Sequence, residues 1–250
     1  MTTRLLRFAL VCALYLTALA GTAGAEPLKL TASPWRPYVD ANMHGSGFAM
    51  ALVARALERA GYETITELGQ WPAALEDTQA GNFDVFCTAW LTEERTATLA
   101  FSSPYVHNEI TFVRRRDWGS GRNFKSREDL VGLRIGVVDD FAYSQQAYDT
   151  TGIDIAWAGS VKENMQRLQN RDVDLVLADR RVALLEINDQ AMAKSFYVQP
   201  DPLITRGLRI AVSKQREDHE QIIAAFEAAI ARMREDGSFA ALLNTFRVSQ

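Results

Sequence analysis

Cysteine and histidine are scarce in this 250-residue chain, which holds two of the first and three of the second. Two cysteines exclude a disulfide-dense secreted scaffold. His44, His107 and His219 are scattered without metal-ligand spacing, so neither a metal nor a cofactor is expected. No Ser-His-Asp or Cys-His pattern suggests nucleophilic catalysis. A positive excess is missing as well. The 27 Lys and Arg face 31 Asp and Glu, a net charge of −4, the wrong sign for gripping a nucleic-acid backbone. No nucleic-acid partner is expected. Beyond the N-terminal segment there is no long apolar run, so no membrane span is expected either. What remains is ordinary globular composition, 48% hydrophobic and 23% charged. The length suits one large domain or two small ones.

The first 25 residues read as an export signal. Arg4 and Arg7 precede an apolar run over 8–20, and small residues at Ala23 and Ala25 make an A-x-A cleavage site. The apolar run is shorter than the roughly 20 residues a membrane span needs. Cleavage after Ala25 is expected, giving a periplasmic protein that starts at Glu26. It removes two basic side chains and no acid, which leaves a net −6. Cys12 lies within the signal. Cys87, in a buried-looking strand, reads as a small hydrophobe.

Two similar α/β halves follow. Strands are predicted over 28–32, 64–68 and 84–89, with helices over 48–60 and 72–79 between them. This β-α-β-α-β order implies a parallel sheet covered by helices. The pattern then recurs, with strands over 133–138, 153–157 and 173–178 and helices from Ser144, over 161–168 and over 181–188. Ser160 and Glu163 form a capping box. Strand-like stretches at 109–113 and 207–212 flank the second half and read as crossovers. A C-terminal helix carries Ile222, Phe226, Ile230 and Met233 on one face, and Gly237 stops it. The fold class expected is α/β with two lobes, each a mostly parallel sheet flanked by helices, joined by a two-strand hinge. The divisions expected are 1–25 signal, 26–112 with 207–250 as lobe 1, and 113–206 as lobe 2. Ligands of open sheets bind beyond the carboxyl ends of the strands, which here means between the lobes.

Several runs then resemble a known family. Gly81-Asn82-Phe83-Asp84, Leu91-Thr92-Glu93-Glu94-Arg95 and Ala100-Phe101-Ser102-Ser103-Pro104-Tyr105 are similar to the Gly-x-x-Asp, Thr-x-x-Arg and Phe-Ser-x-Pro-Tyr motifs of bacterial periplasmic solute-binding proteins, family 3. Further matches are Leu130-Val131-Gly132-Leu133-Arg134-Ile135-Gly136-Val137, Asp172-Val173-Asp174-Leu175-Val176-Leu177-Ala178-Asp179 and Arg234-Glu235-Asp236-Gly237-Ser238-Phe239. They run in order over the whole exported chain. The resemblance implies a monomer that closes around an amino acid or derivative and delivers it to the inner-membrane permease of an ABC importer.

It also implies site residues. Arg95 matches the arginine that clamps a ligand carboxylate, and a guanidinium has the paired donors for that geometry. Thr92 caps the same turn and is a second donor. Asp179 matches the acid that pairs with the ligand ammonium, although a carboxylate at a strand end is also a good helix cap. Trp35, Trp71 and Trp90 fall at three successive strand or loop ends and are expected to shape a pocket by stacking or cation–π contact. Thr88 on the third strand joins the ligand set. The family often has Gln-Gly-Ser/Thr after Gly-Val-x; here Asp139, Asp140, Phe141, Ala142, Tyr143 and Ser144 stand there. Tyr143 and Ser144 are candidate contacts, Ser144 at a helix start. Asp140 would suit a cationic ligand.

Other signals point nowhere. Gly45-Ser46-Gly47 lacks the GK[ST] of a phosphate loop and reads as a turn. Arg114-Arg115-Arg116 reads as a solvated end of a crossover strand. One alternative is a ligand-sensing module for a membrane receptor. Another is a cyclohexadienyl-dehydratase-like enzyme, which resembles this chain over most of its length. In that group a glutamate three residues after the matched Asp is the general acid. Here Val182 stands there and cannot transfer a proton, so no enzyme is expected.

Overall fold

The computed structural model describes residues 26–126, 128–139, 152–187 and 190–246. The expected signal over 1–25 and the helix expected from Ser144 lie outside the described residues, as do Asp140, Tyr143 and Ser144. Among the described residues no helix is long and apolar enough to cross a membrane.

The first lobe begins with β1 (Leu28–Thr31), α1 (Phe48–Arg59), β2 (Thr64–Thr66), α2 (Ala73–Ala80) and β3 (Val85–Ala89). Strand β1 pairs in parallel with both β2 and β3, as the β-α-β-α-β order requires. Helix α1 buries Phe48, Leu52, Val53, Ala56 and Leu57, the 3.6-residue stripe visible in the sequence. Its start is fixed by Gly47, at φ 95°, where an added Cβ would lie 2.5 Å from the Tyr38 carbonyl oxygen. Only glycine meets both conditions. Helix α2 starts one residue later than expected, with Pro72 as its cap.

The second lobe contains β6 (Arg134–Val138), β7 (Asp154–Ala158), α3 (Val161–Asn170), β8 (Leu175–Asp179) and α4 (Arg180–Glu186). Strand β6 pairs in parallel with β7 and β8. The Ser160 hydroxyl accepts from the Glu163 amide at 3.1 Å, while the Glu163 carboxylate accepts from the Gly159 amide at 3.0 Å, one residue before the cap. The helix expected over 181–188 is α4, and α5 (Gln190–Ser195) follows it.

Two long strands join the lobes. β5 (Val106–Arg115) and β10 (Ile204–Ser213) pair antiparallel from Ile204 opposite Ile110 to Leu208 opposite Val106. β10 continues beside β3 and the short β4 (Leu99–Phe101). β5 continues beside β8 and β9 (Phe196–Val198). The result is one mixed sheet of order β2-β1-β3-β10-β5-β8-β6-β7. The crossovers are longer than the sequence pattern indicated, and β4 and β9 were not legible because each is a three-residue edge segment.

Helices α6 (His219–Glu235) and α7 (Ser238–Thr245) close lobe 1. Phe226, Ile230, Met233 and Phe239 share a core with Leu30, Phe48, Leu57 and Val85. Each such side chain contributes about 1.5–3 kcal/mol by leaving water. Lobe 2 packs Met165, Leu168 and Val176 on one sheet face and Phe112, Phe124 and Val137 on the other. Cys87 belongs to the lobe 1 core, and burial pushes its thiol up. The solvated reading holds for Arg116, which is exposed, and is corrected for Arg114 and Arg115. Arg114 is buried, donates to the carbonyls of Arg115 and Trp118 at 3.0 Å and lies over the Tyr197 ring. Arg115 donates to the Leu168 carbonyl at 3.0 Å. Their stems are long enough to fold back onto unsatisfied carbonyls.

Candidate functional site

The candidate residues converge where β3 and β8 end beside the crossover strands. Asp179 is the last residue of β8 and the cap of α4. Its Oδ1 accepts from the Arg181 and Val182 amides at 2.9 and 3.1 Å. Its Oδ2 accepts from the Tyr38 hydroxyl at 2.8 Å and the Asn108 amide group at 3.1 Å. Four donors fill the acceptor capacity of a carboxylate. Burial raises the Asp179 carboxyl above the ordinary aspartate value, and these hydrogen bonds only partly offset it. The capping role foreseen for Asp179 is therefore occupied, and its second oxygen is held by lobe 1.

Tyr38 is fully buried. Burial and then the Asp179 charge push its hydroxyl well above the usual tyrosine value, so it stays a donor. Trp35 stacks on Tyr38 with centroids 4.4 Å apart and meets Trp90 edge-on at 6.2 Å. Trp90 follows β3 and donates from Nε1 to Asn108 Oδ1 at 2.9 Å. It packs against the core of lobe 1 and one core face of lobe 2, so it lies at the junction between them.

Arg95 lies in a single 3₁₀ turn, Glu94–Ala97. Its Nη1 donates to the Trp90 carbonyl at 2.9 Å, and its guanidinium carbon is 4.9 Å from the Trp71 ring centroid. Burial lowers the Arg95 guanidinium from its ordinary value, yet arginine stays charged at neutral pH. Among the described residues Arg95 has no ion pair. Thr92 accepts weakly from the Arg95 amide, at 3.4 Å. Trp71 is 41% exposed and meets Phe86 edge-on. Thr88 lies in β3 two residues after Phe86 and is nearly buried.

The structure thus brings together Trp35, Trp90 and Asp179 through Tyr38 and Asn108, and joins Arg95 and Trp71 to the same group through the Trp90 carbonyl. Sequence reasoning missed Tyr38, Asn108 and Arg181. Arg181 Nη1 donates to the His107 carbonyl at 2.7 Å and to the Tyr38 hydroxyl at 3.3 Å. Asn108 had a signal: an amide side chain in a strand where Val106, Ile110 and Phe112 are apolar. Asp139 is exposed just after β6. No group of three or more acidic, histidine or cysteine side chains suited to a metal occurs among the described residues.

This two-lobed α/β architecture with crossover strands is that of the periplasmic binding proteins. A histidine-kinase sensor domain described as similar to that class superposes with a TM-score of 0.71 at 18% identity, over 89% of this chain and 96% of the other. The profile of the bacterial extracellular solute-binding proteins, family 3, matches residues 29–248, and the chain belongs to that family. The L-cystine-binding protein TcyJ of Escherichia coli K12 is 24% identical over 202 residues, 79% of this chain and 72% of its own. An ancestral amino-acid-binding protein, AncCDT-1, described as a precursor of cyclohexadienyl dehydratase, superposes with a TM-score of 0.67 at 22% identity, over 88% of this chain and 94% of the other.

Proposed function

We propose that this protein is exported by its N-terminal segment, captures an amino acid or a close derivative between its lobes, and presents it to an ABC permease in the inner membrane. The observation that carries this reading is Arg95. Its guanidinium lies over Trp71, is bonded to the Trp90 carbonyl and, among the described residues, forms no salt bridge, with the Glu94 charge acting on it from the neighbouring position. A partly buried guanidinium with an aromatic support has the paired donors that suit a carboxylate. Trp35, Trp71 and Trp90 form the aromatic wall, with Thr88 and Thr92 beside it. Asp179 takes the ligand ammonium if that group displaces Tyr38 or Asn108 from Oδ2. Tyr143, Ser144 and Asp140 complete the lobe 2 side in this reading. The lobes divide near residues 112 and 206. A monomer suffices, because both halves of the site come from one chain.

The experiment is a thermal-shift panel on protein refolded to remove carried-over ligand. It holds the standard amino acids, cystine, polyamines and organic acids. A ligand at about 1,000 times its dissociation constant adds roughly 4 kcal/mol. Arg95→Ala is expected to abolish the shift while the unliganded protein still melts cooperatively; an unchanged shift would refute the carboxylate clamp.

The sensing alternative shares this site and differs in the partner. Its support is the fold shared with a kinase sensor domain. Co-purification with a permease separates it from import. The dehydratase alternative meets Val182, which is partly buried against the cores of both lobes and has no proton to give.

A further inference from the structure

Arg206 was not part of the sequence-derived site. It lies on β10 directly opposite Asn108 of β5. Residues opposite each other in an antiparallel pair project to the same sheet face, so Arg206 shares the face on which Asn108 holds Trp90 and Asp179. Its guanidinium carbon is 6.0 Å from the Trp90 ring centroid. Its Nε is shielded from solvent and has no hydrogen-bond partner. Among the described residues no acid pairs with Arg206. The neighbouring acid on the hinge, Glu109, instead faces Arg180 at 3.8 Å.

Among the described residues, Asp179 is the acid hydrogen-bonded within this cluster, and Arg181 lies against it through their shared partner Tyr38. Arg95, bonded to the Trp90 carbonyl, and Arg206, over the Trp90 ring, form no salt bridge among the described residues; the Glu94 charge acts on Arg95 at longer range. Two guanidiniums partly withdrawn from water, one over Trp71 and the other over Trp90, are unfavourable unless anions meet them. Resting on the solute-binding reading above, we infer that the site takes an acidic solute with two carboxylates, one held by Arg95 and the second by Arg206. Arg206 is then the residue that separates an acidic amino acid or dicarboxylate from its amide or neutral counterpart. The discrimination is of the strong kind, because a neutral ligand leaves a partly buried guanidinium unmatched.

The test is titration calorimetry on the refolded protein with L-glutamate, L-aspartate and glutarate against L-glutamine, L-asparagine and L-arginine. The inference expects at least one of the first three to bind about tenfold or more tightly than any of the second three. Arg206→Gln should remove that advantage by weakening the acidic ligands and, with the unmatched guanidinium gone, tightening L-glutamine. Wild-type selectivity alone decides the matter if the variant does not fold. Equal or tighter binding of a neutral or cationic amino acid overturns the inference and leaves the amino-acid reading standing. Equal weakening of both sets by Arg206→Gln overturns it in the same way. A flat response to all six overturns the inference, and a flat response to the full thermal-shift panel overturns the amino-acid reading with it.

Discussion

Tyr38 and Asp179 lie 141 positions apart and share a hydrogen bond of 2.8 Å, hydroxyl to carboxylate. One residue belongs to the loop after β1 and the other to the end of β8. The bond ties a lobe 1 loop to a lobe 2 helix cap at the base of the proposed site. Tyr38→Phe keeps the ring that stacks on Trp35 and removes the hydroxyl that donates to Asp179 and accepts from Arg181. It leaves Asp179 Oδ2 buried with Asn108 alone. The expected cost is about 1–3 kcal/mol, measured as a lower urea midpoint with an unchanged slope. A change in slope would mean that the variant altered the lobe arrangement instead.

Asp179 has two jobs in the structure, and two substitutions separate them. Asparagine keeps an oxygen for the Arg181 and Val182 amides, since Asn caps helices about as well as Asp. It turns a donor toward Tyr38 and Asn108, so the lobe 1 contacts are lost. Alanine loses both and strands two buried donors. Asp179→Ala is expected to cost about 3 kcal/mol or more, and Asp179→Asn clearly less. Equal midpoints for the two variants would show that the cap contributes nothing.

Arg95→Lys separates charge from geometry. Lysine keeps the positive charge but not the planar fork, and it stacks less well on Trp71. Ligand affinity is expected to fall about tenfold or more with little change in stability, because among the described residues the Arg95 side chain makes one hydrogen bond to the protein, to the Trp90 carbonyl. Calorimetry on both forms tests this. Full affinity in the lysine variant would reduce Arg95 to a point charge.

The fold was legible because its strands and helices have strong periods. The run Val85-Phe86-Cys87-Thr88-Ala89 is buried throughout, as a central strand must be. The stripe on α1 reads directly as a core face. The site was half legible. Arg95 and Asp179 stand in recognisable motifs, and tryptophans at strand ends are unusual enough to notice. Tyr38, Asn108 and Arg206 were not found, for a physical reason. Asn108 and Arg206 become neighbours only through the pairing register of β5 with β10, across 98 positions of chain. No local pattern records that register. The buried end of Arg114 was misread for a similar reason: a run of three arginines looks solvated until nearby carbonyls are placed.

Gly47 predicts a large effect from one methyl group. At φ 95° an L side chain is strained, and its Cβ would lie 2.5 Å from the Tyr38 carbonyl oxygen and 2.9 Å from Val39 Cα. Backbone atoms cannot yield as a flexible side chain does. Gly47→Ala is expected to lose more than about 2 kcal/mol, and to weaken ligand binding, because the displaced loop carries Trp35 and Tyr38. A loss in stability without any loss in affinity would detach that loop from the site.

Asp236 sets a pH-dependent contribution at the far side of lobe 1. Hydrogen bonds from Ser238 and then from Arg59 hold its carboxyl at about 2, against an ordinary 3.8. Arg59 Nη1 reaches Asp236 Oδ2 at 2.7 Å and Ser238 Oγ at 3.0 Å, which fastens the end of α1 to the turn between α6 and α7. The folded value is depressed, so the stabilisation is present above the unfolded value near 3.8 and is lost as pH falls through about 2. Asp236→Asn should therefore lower the melting temperature by a constant amount above about pH 4, with the difference from wild type shrinking toward pH 2. The group is exposed, and about 1 M salt should shrink the Arg59 part of that difference even at neutral pH. A difference that persists unchanged at pH 2 would assign the effect to side-chain packing at the turn, with no role for the charge.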